Sequence, residues 1–165
     1  MSYPDPEIRH LQDRSVACVS NTGNYVGDTE LFARLFTELG EWASAMNLLT
    51  PDTVFLSAYE NDPRTTPLDQ LKLDVCMSIP DGVDVVSDKV RHKILPGGNF
   101  AVMHAELAGA DEYASAWNAI VEWAEKNGYP TDPSRPSYEI YLNDPEEHPQ
   151  KHQILDICLS VHVYA

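Results

Sequence analysis

The sequence predicts an α+β fold made of two β-α-β-β modules of antiparallel strands, each with a helix packed on its strands, related by a pseudo-two-fold axis. Three observations predict it. Tyr59-Glu60-Asn61-Asp62-Pro63 recurs as Tyr141-Leu142-Asn143-Asp144-Pro145, and Asp74-Val75-Cys76-Met77-Ser78-Ile79 recurs as Asp156-Ile157-Cys158-Leu159-Ser160-Val161, both pairs 82 positions apart. Upstream, Trp42 matches Trp123, and Val16-Ala17-Cys18 matches Phe100-Ala101-Val102 at close to the same spacing. Two copies of a unit this long are too few for a solenoid, so a pair of half-domains is the economical arrangement. The expected organisation is one domain over 1–165, with repeats 14–80 and 98–163 joined by 81–97.

The first module opens on Ser15 to Ser20, a short strand rich in β-branched and small residues. Asp28-Thr29 supplies N-cap chemistry for a helix whose Leu31, Phe32, Leu35, Phe36, Leu39, Trp42 and Met46 draw one broad apolar stripe. After a turn at Thr50-Pro51-Asp52 come a strand from Val54 to Tyr59, a polar loop, and a strand from Leu71 to Ile79. The second module repeats the order. Asn99 to Leu107 is a strand, and Asp111 opens a helix carrying Tyr113, Trp117, Ile120, Val121 and Ala124, closed by Asn127-Gly128. Strands from Tyr138 to Leu142 and Ile154 to Val163 follow. Pro80 to Gly98 reads as a joint, with turns at both ends of a charged stretch.

Charge bounds the partners. With 26 acidic against 11 basic side chains the formal net charge is −15, and no basic run exists. A phosphate backbone needs a dense Lys/Arg surface, so nucleic acid is not expected to bind directly. No window is long and apolar enough for a membrane helix, and the N-terminus carries neither a basic region nor an apolar stretch, so a cytoplasmic protein without membrane contact is expected. Three cysteines at wide spacing fit a reducing compartment. Mid-strand among apolar residues and without basic neighbours, Cys18, Cys76 and Cys158 read as inert thiols. His148 and His152 have a His-x₃-His spacing, but Pro149 lies between them and two further ligands are not evident, so no metal and no cofactor is expected.

Alternation then sorts the side chains. In Ser137-Tyr138-Glu139-Ile140-Tyr141-Leu142-Asn143, Tyr138, Ile140 and Leu142 share one face, read as core, while Ser137, Glu139, Tyr141 and Asn143 share the other, read as non-core. The repeat mate projects Ser57, Tyr59 and Asn61 from the equivalent face. Only the second module adds a carboxylate there. Glutamate is depleted in strands, and one between Tyr138 and Ile140 requires solvent or a positive partner.

These residues resemble the GyrI-like (gyrase-inhibitor-like) small-molecule-binding domain, which also serves as the effector-binding domain of AraC-type and MerR-type multidrug-responsive regulators. The most specific segments are Tyr59 to Pro63 followed by Thr66-Pro67-Leu68-Asp69-Gln70-Leu71-Lys72-Leu73-Asp74, Pro96-Gly97-Gly98-Asn99-Phe100-Ala101-Val102, and Tyr138 to Asn143. The resemblance implies a central groove accepting flat, apolar, often cationic compounds, with Glu139 as its strand glutamate. Tyr141, Tyr59, Trp117 and Ser57 are the other candidate ligand contacts, Trp117 also being a candidate for core packing. The chain leaves no room for the regulators' helix-turn-helix module, so a stand-alone binder is expected. The alternative is a cofactor-free hydrolase of reactive xenobiotics, with Glu139 as acid or base and Tyr59 or Tyr141 donating a hydrogen bond. A third option is a protein partner, gyrase or the transcription machinery, which the sequence does not identify.

Overall fold

The computed structural model describes residues 3–164. In chain order the elements are β1 (Glu7–Leu11), β2 (Arg14–Thr22), α1 (Thr29–Ala45), β3 (Phe55–Tyr59), β4 (Lys72–Ser78), β5 (Arg91–Leu95), β6 (Gly98–Leu107), α2 (Glu112–Lys126), β7 (Ser137–Tyr141) and β8 (Gln153–Ser160). Short 3₁₀ turns span Leu68–Gln70 and Pro145–Glu147. The chain divides into two compact units: a first unit, Asp13–Pro96, and a second unit made of the residues up to Gln12 together with those from Gly97 onward.

In the first unit the strands lie antiparallel in the order β3-β4-β2-β5, with Cys18 opposite Cys76 and Tyr59 opposite Leu73. The apolar stripe of α1 buries Leu35, Leu39 and Ala43 against the sheet face formed by Ala17, Val19, Leu73, Val75 and Met77. That face alternates with its opposite at the strand period, which is why one helix suffices to cover it. Asp28 caps the helix as its residue type predicts, its Oδ1 accepting the Leu31 N–H at 3.1 Å.

The second unit has the same plan. Its strands run antiparallel in the order β1-β6-β8-β7, with Val102 opposite Cys158 and Tyr141 opposite Leu155. On α2, Ala116, Ile120, Val121 and Ala124 are buried on Ala101, Met103, Ala105, Leu155, Ile157 and Leu159. Gly128, at φ 80°, ends that helix in the left-handed conformation that glycine adopts without cost. The expected α+β class with duplicated β-α-β-β modules is the observed one. The two helices align at a spacing of 81, since the buried Leu35, Leu39 and Ala43 match the buried Ala116, Ile120 and Ala124.

Two strands depart from the expectation. The sequence pattern places no strand before Ser15 and puts β5 in the joint, yet β1 and β5 are the outer strands of their units. Their charged residues, Glu7, Arg9 and His10 in one and Arg91, His92 and Lys93 in the other, erase the apolar alternation that marks a strand. Their partners are exchanged: β1 is followed directly by β2 but pairs with β6, while β5 is followed by β6 but pairs with β2. The start of β6 is fixed by Arg135. Its Nη1 donates to the Gly97 carbonyl at 3.2 Å, its Nη2 donates to those of Asn99 and Val161 at 3.0 Å each, and it lies over the Phe100 ring at 4.8 Å.

Candidate functional site

Glu139 projects from β7 toward α2. It lies opposite Ile157, whose face of the sheet carries Leu155 and Leu159 under the helix. At 3% exposure it is a buried carboxylate. The Trp117 indole N–H, one turn above Tyr113 on α2, donates to Glu139 Oε2 at 2.6 Å, and the Tyr141 hydroxyl donates to Oε1 at 2.8 Å. Such charge-assisted bonds offset the cost of taking the carboxylate out of water. The Tyr113 hydroxyl has its pKa pushed up to about 12, first by its own burial and then by the Glu139 charge, which disfavours a second anion nearby.

The strand parity expected for β7 holds, but the assignment of its faces is reversed. The Glu139 and Tyr141 face was read as non-core, and it is the face that α2 covers. Alternation gives which residues share a face and does not give which face a helix will occupy. Tyr138, on the opposite face, is also buried, 5.3 Å from the Phe100 ring between centroids.

Comparison of the units by register isolates what is peculiar to the second. Ser57 lies opposite Val75 and Glu139 opposite Ile157, positions 82 apart, so Ser57 is the counterpart of Glu139 and Tyr59 that of Tyr141. At the helical spacing, Phe32 matches Tyr113 and Phe36 matches Trp117. In the first unit Tyr59 and Phe32 pack on Tyr25, with ring centroids 5.2 and 6.1 Å apart, and Phe36 meets Phe55 edge-on at 6.4 Å. The second unit therefore has Tyr, Trp and Glu where the first has Phe, Phe and Ser, and the Trp117 donor and the Glu139 acceptor arrive together. Ser57 and Tyr59 belong to the first unit, whereas Glu139, Tyr141 and Trp117 are brought together in the second. Tyr113 was missed as a site residue; comparing Phe32 with Tyr113 across the repeat is the signal that finds it.

Elsewhere in the first unit, buried Asp74 accepts from Lys93 Nζ at 2.6 Å and from the Ser20 hydroxyl, and Arg91 donates to that hydroxyl at 2.7 Å. Cys18 faces Cys76 across the strand pair, and its pKa is lowered by a hydrogen bond with the Cys76 thiol and by the Lys93 and Arg91 charges, while Cys76 is pushed well up. The expectation that no basic neighbour reaches these thiols fails for Cys18, because β5 was not foreseen as a strand. In the second unit the fold brings Glu106 of β6 to His148 and His152, a third metal-ligating group that sequence spacing does not show.

Two β-α-β-β units, the second with a buried carboxylate under its helix, make this a small α+β domain. The chain belongs to the GyrI-like small molecule binding domain family, which matches residues 4–162. It is 37% identical over 112 residues to DNA gyrase inhibitor 2 of Dickeya dadantii (strain 3937), covering 66% of this chain and 68% of that protein. The crystal structure of the EcmrR C-terminal domain is similar at a TM-score of 0.80 and 15% identity, covering 99% of this chain and 100% of that one. In the EcmrR–DNA complex the likeness spans only 57% of the EcmrR chain. A structure of SAV2435 bound to tetraphenylphosphonium is similar at a TM-score of 0.67 and 12% identity, covering 96% and 94% of the two chains. Among the described residues, no helix is long and apolar enough to cross a membrane.

Proposed function

We propose that this small-molecule-binding domain takes flat, apolar, positively charged compounds, and that Glu139 reads their charge. One observation carries the reading: a buried carboxylate oriented by the Trp117 and Tyr141 donors, in an aromatic setting whose counterpart in the first unit has no charge. A carboxylate beside aromatic faces favours a desolvated organic cation, through charge and through ring quadrupoles. The tetraphenylphosphonium held by SAV2435 shares the charge and the apolar aryl surface of that class, though it is tetrahedral and not flat. Tyr141 and Trp117 are the accompanying contacts in this reading.

The experiment is calorimetric titration with tetraphenylphosphonium and with triphenylphosphine oxide, an uncharged aryl relative. Glu139→Gln weakens the cation by about 1.5–3 kcal/mol and leaves the neutral compound nearly unchanged. Equal losses for both would show that Glu139 shapes the site without reading charge.

A second reading, cofactor-free hydrolysis, is favoured by the Tyr141 hydroxyl at 2.8 Å from Glu139 Oε1, an acid–base pair in hydrogen-bond contact. A saturable hydrolysis of activated esters or strained electrophiles that falls about 10²–10⁴-fold in Glu139→Gln would establish it. The name DNA gyrase inhibitor 2 for a relative at 37% identity motivates one further assay, inhibition of supercoiling by purified gyrase.

A further inference from the structure

We propose that Glu106, His148 and His152 form a binding site for one divalent transition-metal ion of the zinc class. Two imidazole nitrogens and one carboxylate oxygen are the ligand set of an open three-residue zinc centre, with the remaining position left to solvent. The three ligand atoms lie within 4.8 Å of one another. Glu106 Oε2 is 2.6 Å from His152 Nδ1 and 3.9 Å from His148 Nε2. Metal–ligand bonds of about 2.0–2.1 Å in tetrahedral geometry place ligand atoms roughly 3.3 Å apart, between those two separations, so small side-chain rotations admit an ion.

The backbone that presents the histidines is fixed. Asn143, just after β7, donates to the His152 carbonyl at 3.0 Å and accepts the Ile154 N–H at 2.7 Å, and the Gln153 amide donates to Asn143 Oδ1 at 2.9 Å. Lys151 adopts φ 59°, rare for a residue with a side chain, and its N–H donates to the His148 carbonyl at 3.0 Å. This reversal brings the two imidazoles into a stack with centroids 5.0 Å apart. Glu106 stands on β6 opposite Ile154, so the third ligand comes from the adjacent strand. A non-glycine residue held in the left-handed region persists only where its surroundings impose it, and here the result is convergence of three metal-ligating groups.

Two bonds oppose the ion. His148 Nδ1 accepts the Gln150 N–H at 3.0 Å, and ligation through Nε2 puts the ring proton on Nδ1; His152 Nδ1 and Glu106 Oε2 share a proton at 2.6 Å, which ligation by both removes, so both bonds are given up. The site is therefore weaker than a closed structural zinc centre, and the Gln150 amide becomes its reporter. His104, on the same face of β6, is engaged with Asp156 at 3.1 Å and is not one of the three ligands.

The test uses the full chain, free of any affinity tag and stripped by chelator. Zn²⁺ competition against a chromophoric chelator gives one equivalent bound, Co²⁺ gives visible d–d absorption, and a hundredfold excess of Mg²⁺ displaces neither. Glu106→Gln, His148→Gln and His152→Gln each weaken Zn²⁺ at least tenfold, with apo melting temperatures as in the wild type. Uptake that Mg²⁺ competes away, or that survives all three substitutions, is diffuse attraction to an acidic surface and overturns the proposal. If a variant fails to fold, wild-type NMR decides. Zn²⁺ then moves the His148 and His152 ring nitrogens and the Gln150 amide, and shifts that leave these three unmoved overturn it.

Discussion

Trp117 and Glu139 stand where the first unit has Phe36 and Ser57, and a hydrogen bond of 2.6 Å joins them. Removing one partner takes a short hydrogen bond from a buried group, whereas removing both restores a pairing the fold already uses. Trp117→Phe alone should cost about 1–3 kcal/mol in urea unfolding at neutral pH. In the double variant Trp117→Phe/Glu139→Ser the total should fall short of the sum of the single costs by about 0.5–3 kcal/mol, and simple additivity would show that the two side chains are not coupled. Tyr113 gives a pH test of the same cluster. Its pKa of about 12 lies above the unfolded tyrosine value of about 10, so the stability it contributes is complete below pH ~10 and is lost as pH rises through the folded value. Ultraviolet titration of the protein and of Tyr113→Phe should differ by a step near pH 12. In Glu139→Gln that step moves down and yet stays above the ordinary range, because burial is the larger cause. At this scale the sequence was informative where the repeat was broken, as at Glu139, and silent where a partner comes from another element. Neither the indole N–H from α2 nor Glu106 beside the two histidines is visible in a local pattern.

Elements with an apolar period were legible: both helices, and the strands β2, β3, β4, β6, β7 and β8 lie within a few residues of where alternation and caps place them. β1 and β5 were not, because a strand carrying charged residues has no hydrophobic period to read. What pins an element end is also non-local. Gly98 opens β6 at φ 126°, and a Cβ there would lie 2.5 Å from Arg135 Nη1 and 2.9 Å from its Cζ. The guanidinium cannot withdraw without losing its bonds to the carbonyls of Gly97, Asn99 and Val161. Gly98→Ala therefore meets backbone strain and a displaced clamp together, and should lower stability by about 2–4 kcal/mol in chemical denaturation. Arg135→Lys should be costly too, since an ammonium does not reproduce a planar fork over Phe100. A loss below about 0.5 kcal/mol for Gly98→Ala would show that the arginine moves aside freely.

At the scale of the whole molecule, the exchanged leading strands make each unit depend on a segment distant in the chain. Ile8 lies opposite Ala101 and Glu7 opposite Val102, although β1 runs directly into β2. The cost of closing so long a loop rises only slowly with its length, so the exchange is thermodynamically cheap, and what it supplies is a partner for β6. Without β1, the outer edge of β6 would present unpaired N–H and C=O groups, a template for pairing with another chain. A chain beginning at Asp13 should thus keep the first unit's strands protected in hydrogen exchange while Gly98 to Leu107 exchanges faster. A compact-neighbour arrangement, in which β1 served the strand that follows it, would give the opposite result, with faster exchange in Arg14 to Thr22. The formal charge of −15 opposes self-association of the exposed edge through repulsion between copies. Raising the ionic strength screens that repulsion, so the shortened chain should oligomerise with added salt, as read by light scattering, while the full chain does not. Salt-independent monomers of the shortened chain would mean that β1 does not shield the β6 edge.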